Sequence, residues 1–229
     1  MPDARMLCFW VALCCGFVPF ILGDIPANFT DQSLLEVPKN ISVATTHLYL
    51  DHNYIHTLRK DGLAHLLNLQ YLSVQYNQLS IIEKHAFRGT SLNKIVVSNN
   101  QLRVFPYLLD ISDTLTSFRI VNNGLRVIKE EDLQGLNNLE KLFLSNNDIY
   151  KVPDIINILP SLYHLDFANL NMECCDKVFA LTFFTNETLD VRLMPCSSPP
   201  ELVGEIWWNI DPEAINKPCA VYEICVCFI

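Results

Sequence analysis

The chain has 229 residues, half of them hydrophobic, with 25 acids against 16 bases and a net charge of −9. An apolar fraction this high excludes a disordered chain. The acidic balance argues against a phosphate-backbone binder, which needs a basic surplus to release counterions. Glycine numbers only 7, none in a G-x-G-x-x-G or G-x-x-x-x-G-K run, so nucleotide-cradling loops are excluded as well. Length allows one or two domains. Two residue types are in excess, 33 leucines and 20 asparagines, and both need a cause.

The first segment reads as an export signal. Residues 1–6 are polar, and Leu7 to Leu22 then run apolar for 16 residues. As a helix this is about 24 Å, short for a membrane span and right for a signal-peptide core. Residues 1–23 are therefore expected to be a signal peptide, cut near Gly23–Asp24. The alternative is an uncleaved anchor, since Ile21 is a poor −3 residue. Cleavage removes Cys8, Cys14 and Cys15 and leaves Cys174, Cys175, Cys196, Cys219, Cys225 and Cys227, all in the last quarter. An exported chain meets an oxidising compartment, so disulfides are expected. Asn28-Phe-Thr, Asn40-Ile-Ser and Asn186-Glu-Thr are acceptor sequons for N-glycosylation.

From residue 45 to 170 the chain repeats itself six times. The pattern L-x-x-L-x-L-x-x-N-x-L, with Val, Ile or Phe in place of some leucines, is seen in Leu69–Leu79, Leu92–Leu102, Leu115–Leu125 and Leu139–Ile149. It opens with a shorter match, Leu48–Ile55, and ends with Leu162–Met172, where Leu170 replaces the asparagine. The asparagines stand at 53, 77, 100, 123 and 147, in steps of 23 or 24 residues. The L-x-L alternation points two aliphatic side chains the same way from a short strand. Stacked turns pair such strands in parallel over one continuous core, since a single repeat cannot bury its own face. The asparagine amide is expected to bond backbone groups where the chain bends inward. Each repeat's second half offers one further apolar residue for the core: Leu63, Phe87, Leu109, Leu133 and Ile156.

This pattern resembles the leucine-rich-repeat family, over about residues 45–172. The resemblance implies an α/β right-handed solenoid, a horseshoe with a parallel β-sheet on its concave side. Residues 24–44, around Leu34-Leu35-Glu36-Val37-Pro38, resemble the exit of an extracellular N-terminal cap that lacks the usual cysteines. Either this segment covers the first repeat without a bridge, or another chain does. Some Toll-like receptor ectodomains begin similarly. Residues 171–219, with Cys174-Cys175, Pro195-Cys196 and Cys219, resemble the family's cysteine-rich C-terminal cap. The family's pairing implies Cys174–Cys196 and Cys175–Cys219, although the adjacent cysteines leave the register open by one residue. Trp207 and Trp208 are expected to seal the core end. The tail, 220–229, carries Cys225-Val-Cys227, read as interchain half-cystines of a disulfide-linked dimer or partner link, or as unpaired.

Residues alternating with the buried leucines face the concave side, and extended solenoid faces are binding surfaces. The candidate partner-binding residues are Tyr49, Tyr71, Val96, Arg119, Phe143, His164 and Asp166, because aromatics and arginine are favoured at hot spots. Other constellations are weaker. His47, His52 and His56 beside Asp51 suggest zinc but lack a ligand motif, and surface histidines are the expected reading. Ser145, His164 and Asp166 would suggest a hydrolytic triad, but a flat sheet offers no oxyanion donors. No cofactor, metal or catalysis is expected. Residues 24–170 carry 15 acids and 12 bases, whereas 171–229 carry 9 acids and 3 bases. The negative field is thus expected over the C-terminal cap. The function implied is a secreted, non-enzymatic module recognising an extracellular protein. The alternative is a piece of a cell-surface receptor ectodomain. Membrane association would then come through a missing segment or an uncleaved signal anchor, and nucleic acid is not expected as a partner.

Overall fold

The computed structural model describes residues 23–170, the backbone of 190–192, and residue 203. The signal segment, the sequon at Asn186, Trp207, Trp208 and all six cysteines of the last quarter lie outside the described residues, so their expected roles stay as sequence expectations.

Eight three-residue strands form one parallel sheet. They are β1 (Pro26–Asn28), β2 (His47–Tyr49), β4 (Tyr71–Ser73), β6 (Lys94–Val96), β7 (Ser117–Arg119), β8 (Lys141–Phe143), β9 (His164–Asp166) and β10 (Asp190–Arg192), in that order. The central residues Leu48, Leu72, Ile95, Phe118, Leu142 and Leu165 stand in register. All six are fully buried, as are Leu50, Val74, Val97, Ile120 and Leu144. The L-x-L alternation thus produces one aliphatic core running the length of the stack. A second, two-stranded parallel sheet, β3 (Thr57–Leu58) with β5 (Ile81–Ile82), lies at the far side of the first turns. A bridge between Val127 and Lys151 forms further along the chain.

The asparagine column closes each turn by bonding across repeats. The Asn77 carbonyl accepts from the Ile55 amide at 3.0 Å, Asn100 from Leu79 at 2.9 Å, Asn123 from Leu102 at 3.0 Å and Asn147 from Leu125 at 3.1 Å. Each amino group donates back to carbonyls at the end of the preceding strand, such as Leu50, Val74, Val97 and Ile120. The residue before each column member has positive φ: His52, Tyr76, Asn99, Asn122, Asn146 and Asn169, all between 52° and 57°. Asparagine tolerates this left-handed backbone better than most residues. Four more of the 20 asparagines therefore have a structural cause.

The N-terminal segment covers the first repeat itself. β1 adds to β2 with Ala27 opposite Leu48. The pairing continues as the Phe29 amide donates to the Tyr49 carbonyl at 2.8 Å and that of Asp31 to Asp51 at 3.1 Å. Asn53 accepts from the Gln32 and Leu34 amides and donates to Phe29. Ile41 is buried in the core, and Phe29, Leu34 and Val37 pack against it.

Two core assignments from the sequence are corrected. Leu109 is exposed and Ile156 half-buried, while Leu108, Ile111, Ile155 and Leu159 are buried. In the other repeats the inward residue lies ten after the asparagine; here that place holds Asp110 or Asn157. A short helical turn, 3-10 over Leu109–Ile111 or α2 over Ile155–Ile158, rotates different residues inward. The remaining one-turn helix, α1, spans Glu130–Leu133 and buries Leu133 as expected. Leu109 instead leans over Gly135 (φ +92°), where a Cβ would come within 3.1 Å of its Cδ2.

Candidate functional site

The side chains that alternate with the core leucines form three rows across the sheet. The pairing places His47, Tyr71, Lys94, Ser117, Lys141 and His164 in one row. Tyr49, Ser73, Val96, Arg119, Phe143 and Asp166 form the next. At the strand ends follow Asp51, Gln75, Ser98, Val121, Ser145 and Ala168. The spacing between neighbours is the inter-strand distance, about 4.8 Å, so large side chains in a row must touch.

They do so as rings and cations. The Tyr71 ring stacks on His47 at 5.6 Å and meets Tyr49 at 5.3 Å between centroids. Lys94 lies 5.3 Å over the Tyr71 ring. Arg119 lies 3.8 Å over the Phe143 ring, and Phe143 meets His164 at 4.8 Å. Lys141 lies 5.3 Å over Tyr163. A guanidinium held against a ring face is pre-oriented, with its donor edges left for another group. Burial pushes the Tyr71 phenol pKa up. The Tyr163 side chain raises that of the Lys141 ammonium, which keeps its charge.

The seven expected partner-binding residues fall on this face, but not all are surface groups. Tyr49, Tyr71, Arg119, Phe143 and His164 are half-buried. Val96 is 4% exposed and Asp166 8%, so neither offers a partner direct contact area. The Asp166 carboxylate accepts from the Ser145 hydroxyl at 2.9 Å and the Ala168 amide at 3.2 Å. Asp51 is used similarly at the other end, by the Ser73 hydroxyl at 2.6 Å and the Gln75 amide at 2.8 Å. The sequence placed Ser145 near Asp166 on the adjacent strand, but the Ser73–Asp51 pair was not read from it; both join residues about one repeat apart. Lys94 and Lys141 lie on the same face, each with its ammonium against a tyrosine ring.

The other constellations do not converge on a site. The Ser145 hydroxyl donates to Asp166 without a histidine between, while His164 packs on Phe143. His47 stacks on Tyr71 in the sheet, whereas His52 stacks on Tyr76 at 4.5 Å in the turn column. Among the described residues no three His, Cys, Asp or Glu side chains are grouped to hold a metal.

Residues 44–102 match the family model described as leucine rich repeat. Those residues carry the repeat of that family, and the relatives found are extracellular leucine-rich-repeat proteins. It is 31% identical to epiphycan of Gallus gallus over 140 residues, 60% of this chain and 42% of that protein. It is 32% identical to Toll-like receptor 8 of Homo sapiens over 125 residues, 51% of this chain and 12% of the receptor. The chain thus spans less than half the length of these two relatives. Among solved structures it is similar to a chain of the octameric complex of latrophilin 3, Unc5D and FLRT2, whose FLRT2 part is its leucine-rich-repeat component. The TM-score there is 0.71 at 23% identity, covering 78% of this chain and 56% of that one, a likeness of fold. This leucine-rich-repeat protein is extracellular, secreted or displayed at the cell surface.

Proposed function

We propose that the protein is a non-enzymatic binding module that docks an extracellular protein partner on its concave sheet. The observation that carries this reading is the ring and cation mosaic formed by Tyr49, Tyr71, Lys94, Arg119, Phe143 and His164. Half-buried aromatics and arginine on a rigid sheet lose little entropy on binding and are the residue types that dominate hot spots. One chain of the solved complex that contains FLRT2 shares this fold, and that complex has other proteins as its components. Membership of a longer cell-surface receptor is the second reading, favoured by the similarity to Toll-like receptor 8.

The test is capture of partners from extracellular fluid by the tagged chain. Wild type is compared with the triple variant Tyr49→Ala, Tyr71→Ala, Phe143→Ala. A second triple variant, Leu67→Ala, Val104→Ala and Tyr150→Ala, changes exposed residues off the concave rows. The concave variant should lose the captured protein while its circular dichroism stays native, and the second variant should retain it. Retention by the concave variant with loss by the other would move the binding surface elsewhere.

A further inference from the structure

The concave face carries the opposite sign from the molecule around it. The whole chain has net charge −9, yet β6, β7 and β8 contribute Lys94, Arg119 and Lys141, one cation per strand. Lys94 and Lys141 share a row, two strands apart across Ser117. At about 4.8 Å per strand their Cα atoms are about 10 Å apart. Arg119 stands one row along, braced on Phe143. None of the three is in an ion pair among the described residues. Two carboxylates of the face, Asp51 and Asp166, lie toward the two ends and are already bonded to Ser73 and Ser145, and at the last strand the register sets Asp190 beside His164 and Arg192 beside Asp166.

We infer that the occupant of this face is an acidic protein segment, presenting at least two Asp or Glu carboxylates beside an aromatic or aliphatic side chain. The inference rests on the concave-face reading and adds the chemistry of the partner. Three cations set against ring faces, none in an ion pair among the described residues, are electrostatically incomplete, and an approaching carboxylate completes them. In a polyproline-II segment, residues three apart point the same way and lie about 9 Å apart, close to the separation of Lys94 and Lys141. The Arg119 fork suits a bidentate carboxylate. Tyr71 and Phe143 offer apolar contact between the charges. A long polyanion is disfavoured: it would run past the cluster onto Asp51, Asp166 and a net-negative molecule.

The experiment selects a displayed library of random peptides on the tagged full chain. The same selection is run on the charge-reversed Lys94→Glu, Arg119→Glu, Lys141→Glu variant and on the Tyr49→Ala, Tyr71→Ala, Phe143→Ala variant. Wild type should enrich peptides with two or more acids next to an aromatic or aliphatic residue. A representative of these should bind about tenfold or more weaker to the charge-reversed chain, which should itself enrich basic peptides. Its affinity for wild type should fall steeply with added salt. Peptides enriched without acidic bias, and lost on the aromatic variant, would overturn the acidic occupant and leave the concave reading intact. Peptides indifferent to both variants would overturn both. Heparin bound by wild type and lost on charge reversal, with no acidic peptide enriched, would replace the protein segment by a sulfated polysaccharide and overturn the inference. Circular dichroism of the reversed variant must match wild type; if it does not, Arg119→Gln alone carries the comparison, and an unchanged acidic-peptide affinity there overturns the proposal.

Discussion

Asparagine serves two purposes in this chain, one residue apart. The inward column bonds across repeats, whereas the residue before it supplies a left-handed backbone. Asn147 is 5% exposed; its carbonyl accepts from Leu125 and its amino group donates to Ile120 and Leu144. Asn147→Ala strands these groups inside the stack. It is expected to cost about 3 kcal/mol, at the upper end for buried unpaired polar groups, as read by urea unfolding. Asn146 (φ 55°) has only an exposed bond from Asn169 to lose. Asn146→Gly should stay within about 0.5 kcal/mol of wild type, since glycine accepts that backbone freely. Equal stability of the two variants would show that the inward amides are not what closes the turns. Tyr71 gives a pH dependence of known sign. Burial raises its pKa above the ordinary 10.0, so the unfolded chain ionises first as pH climbs. The stability it contributes is complete below about pH 10 and is lost as pH rises through the raised value. Tyr71→Phe should therefore lose less stability than wild type between about pH 9 and about pH 11 in the same unfolding assay.

At the scale of elements, the strand at the N-terminal edge has a consequence for the concave face. Ala27 of β1 stands opposite inward Leu48, so Asn28 lies beside Tyr49 in the concave row. Asn28 is the acceptor of the Asn28-Phe-Thr sequon and is exposed. A glycan there borders the sheet at its N-terminal edge, four strands before Arg119 of β7. Asn28→Gln is expected to remove one glycosidase-sensitive step in gel mobility of the secreted protein. Wild-type mobility in the variant would mean that this sequon is not used. β1 itself was not legible in the sequence. Gln32 stands where the register calls for asparagine, and Pro26-Ala27 lacks the aliphatic signal, so its existence depends on the free edge of β2 and on Asn53. β2, β4, β6, β7, β8 and β9 were legible because the 23–24-residue period fixes both their position and their register, whereas β3, β5 and β10 lie off that pattern. The far side of each repeat was legible only where the tenth residue after the asparagine is apolar. At Asp110 and Asn157 a helical turn shifts the phase, and a period alone cannot show that. The concave face followed from alternation, but the closure of Val96 and Asp166 depends on neighbours a whole repeat away.

At the scale of the whole molecule, the stack is one-dimensional: each turn pairs only with the turn before and the turn after. Opening a terminal repeat breaks one interface, while opening a central one breaks two, so local stability should peak in the middle. Amide hydrogen exchange tests this directly. The amides of Val97, Ile120 and Leu144, which donate to the next turn's carbonyls at 2.9, 3.0 and 2.9 Å, should exchange slowest, and those of Phe29 and Asp31 faster. Cavities then separate local from global opening. Ile95→Ala, at a fully buried central position, should cost about 2–5 kcal/mol and speed exchange in turns on both sides, because the continuous core is cut. Leu48→Ala removes similar volume near the N-terminal end. It should speed exchange mainly in β1 and β2 and leave β7 and β8 near wild type, since the interfaces beyond remain. If both variants sped exchange equally along the whole stack, coupling between turns would exceed what neighbour-to-neighbour pairing supplies. The concave sheet would then be a single rigid unit, and a partner docked on β6–β8 as proposed would protect β1 as strongly as β7.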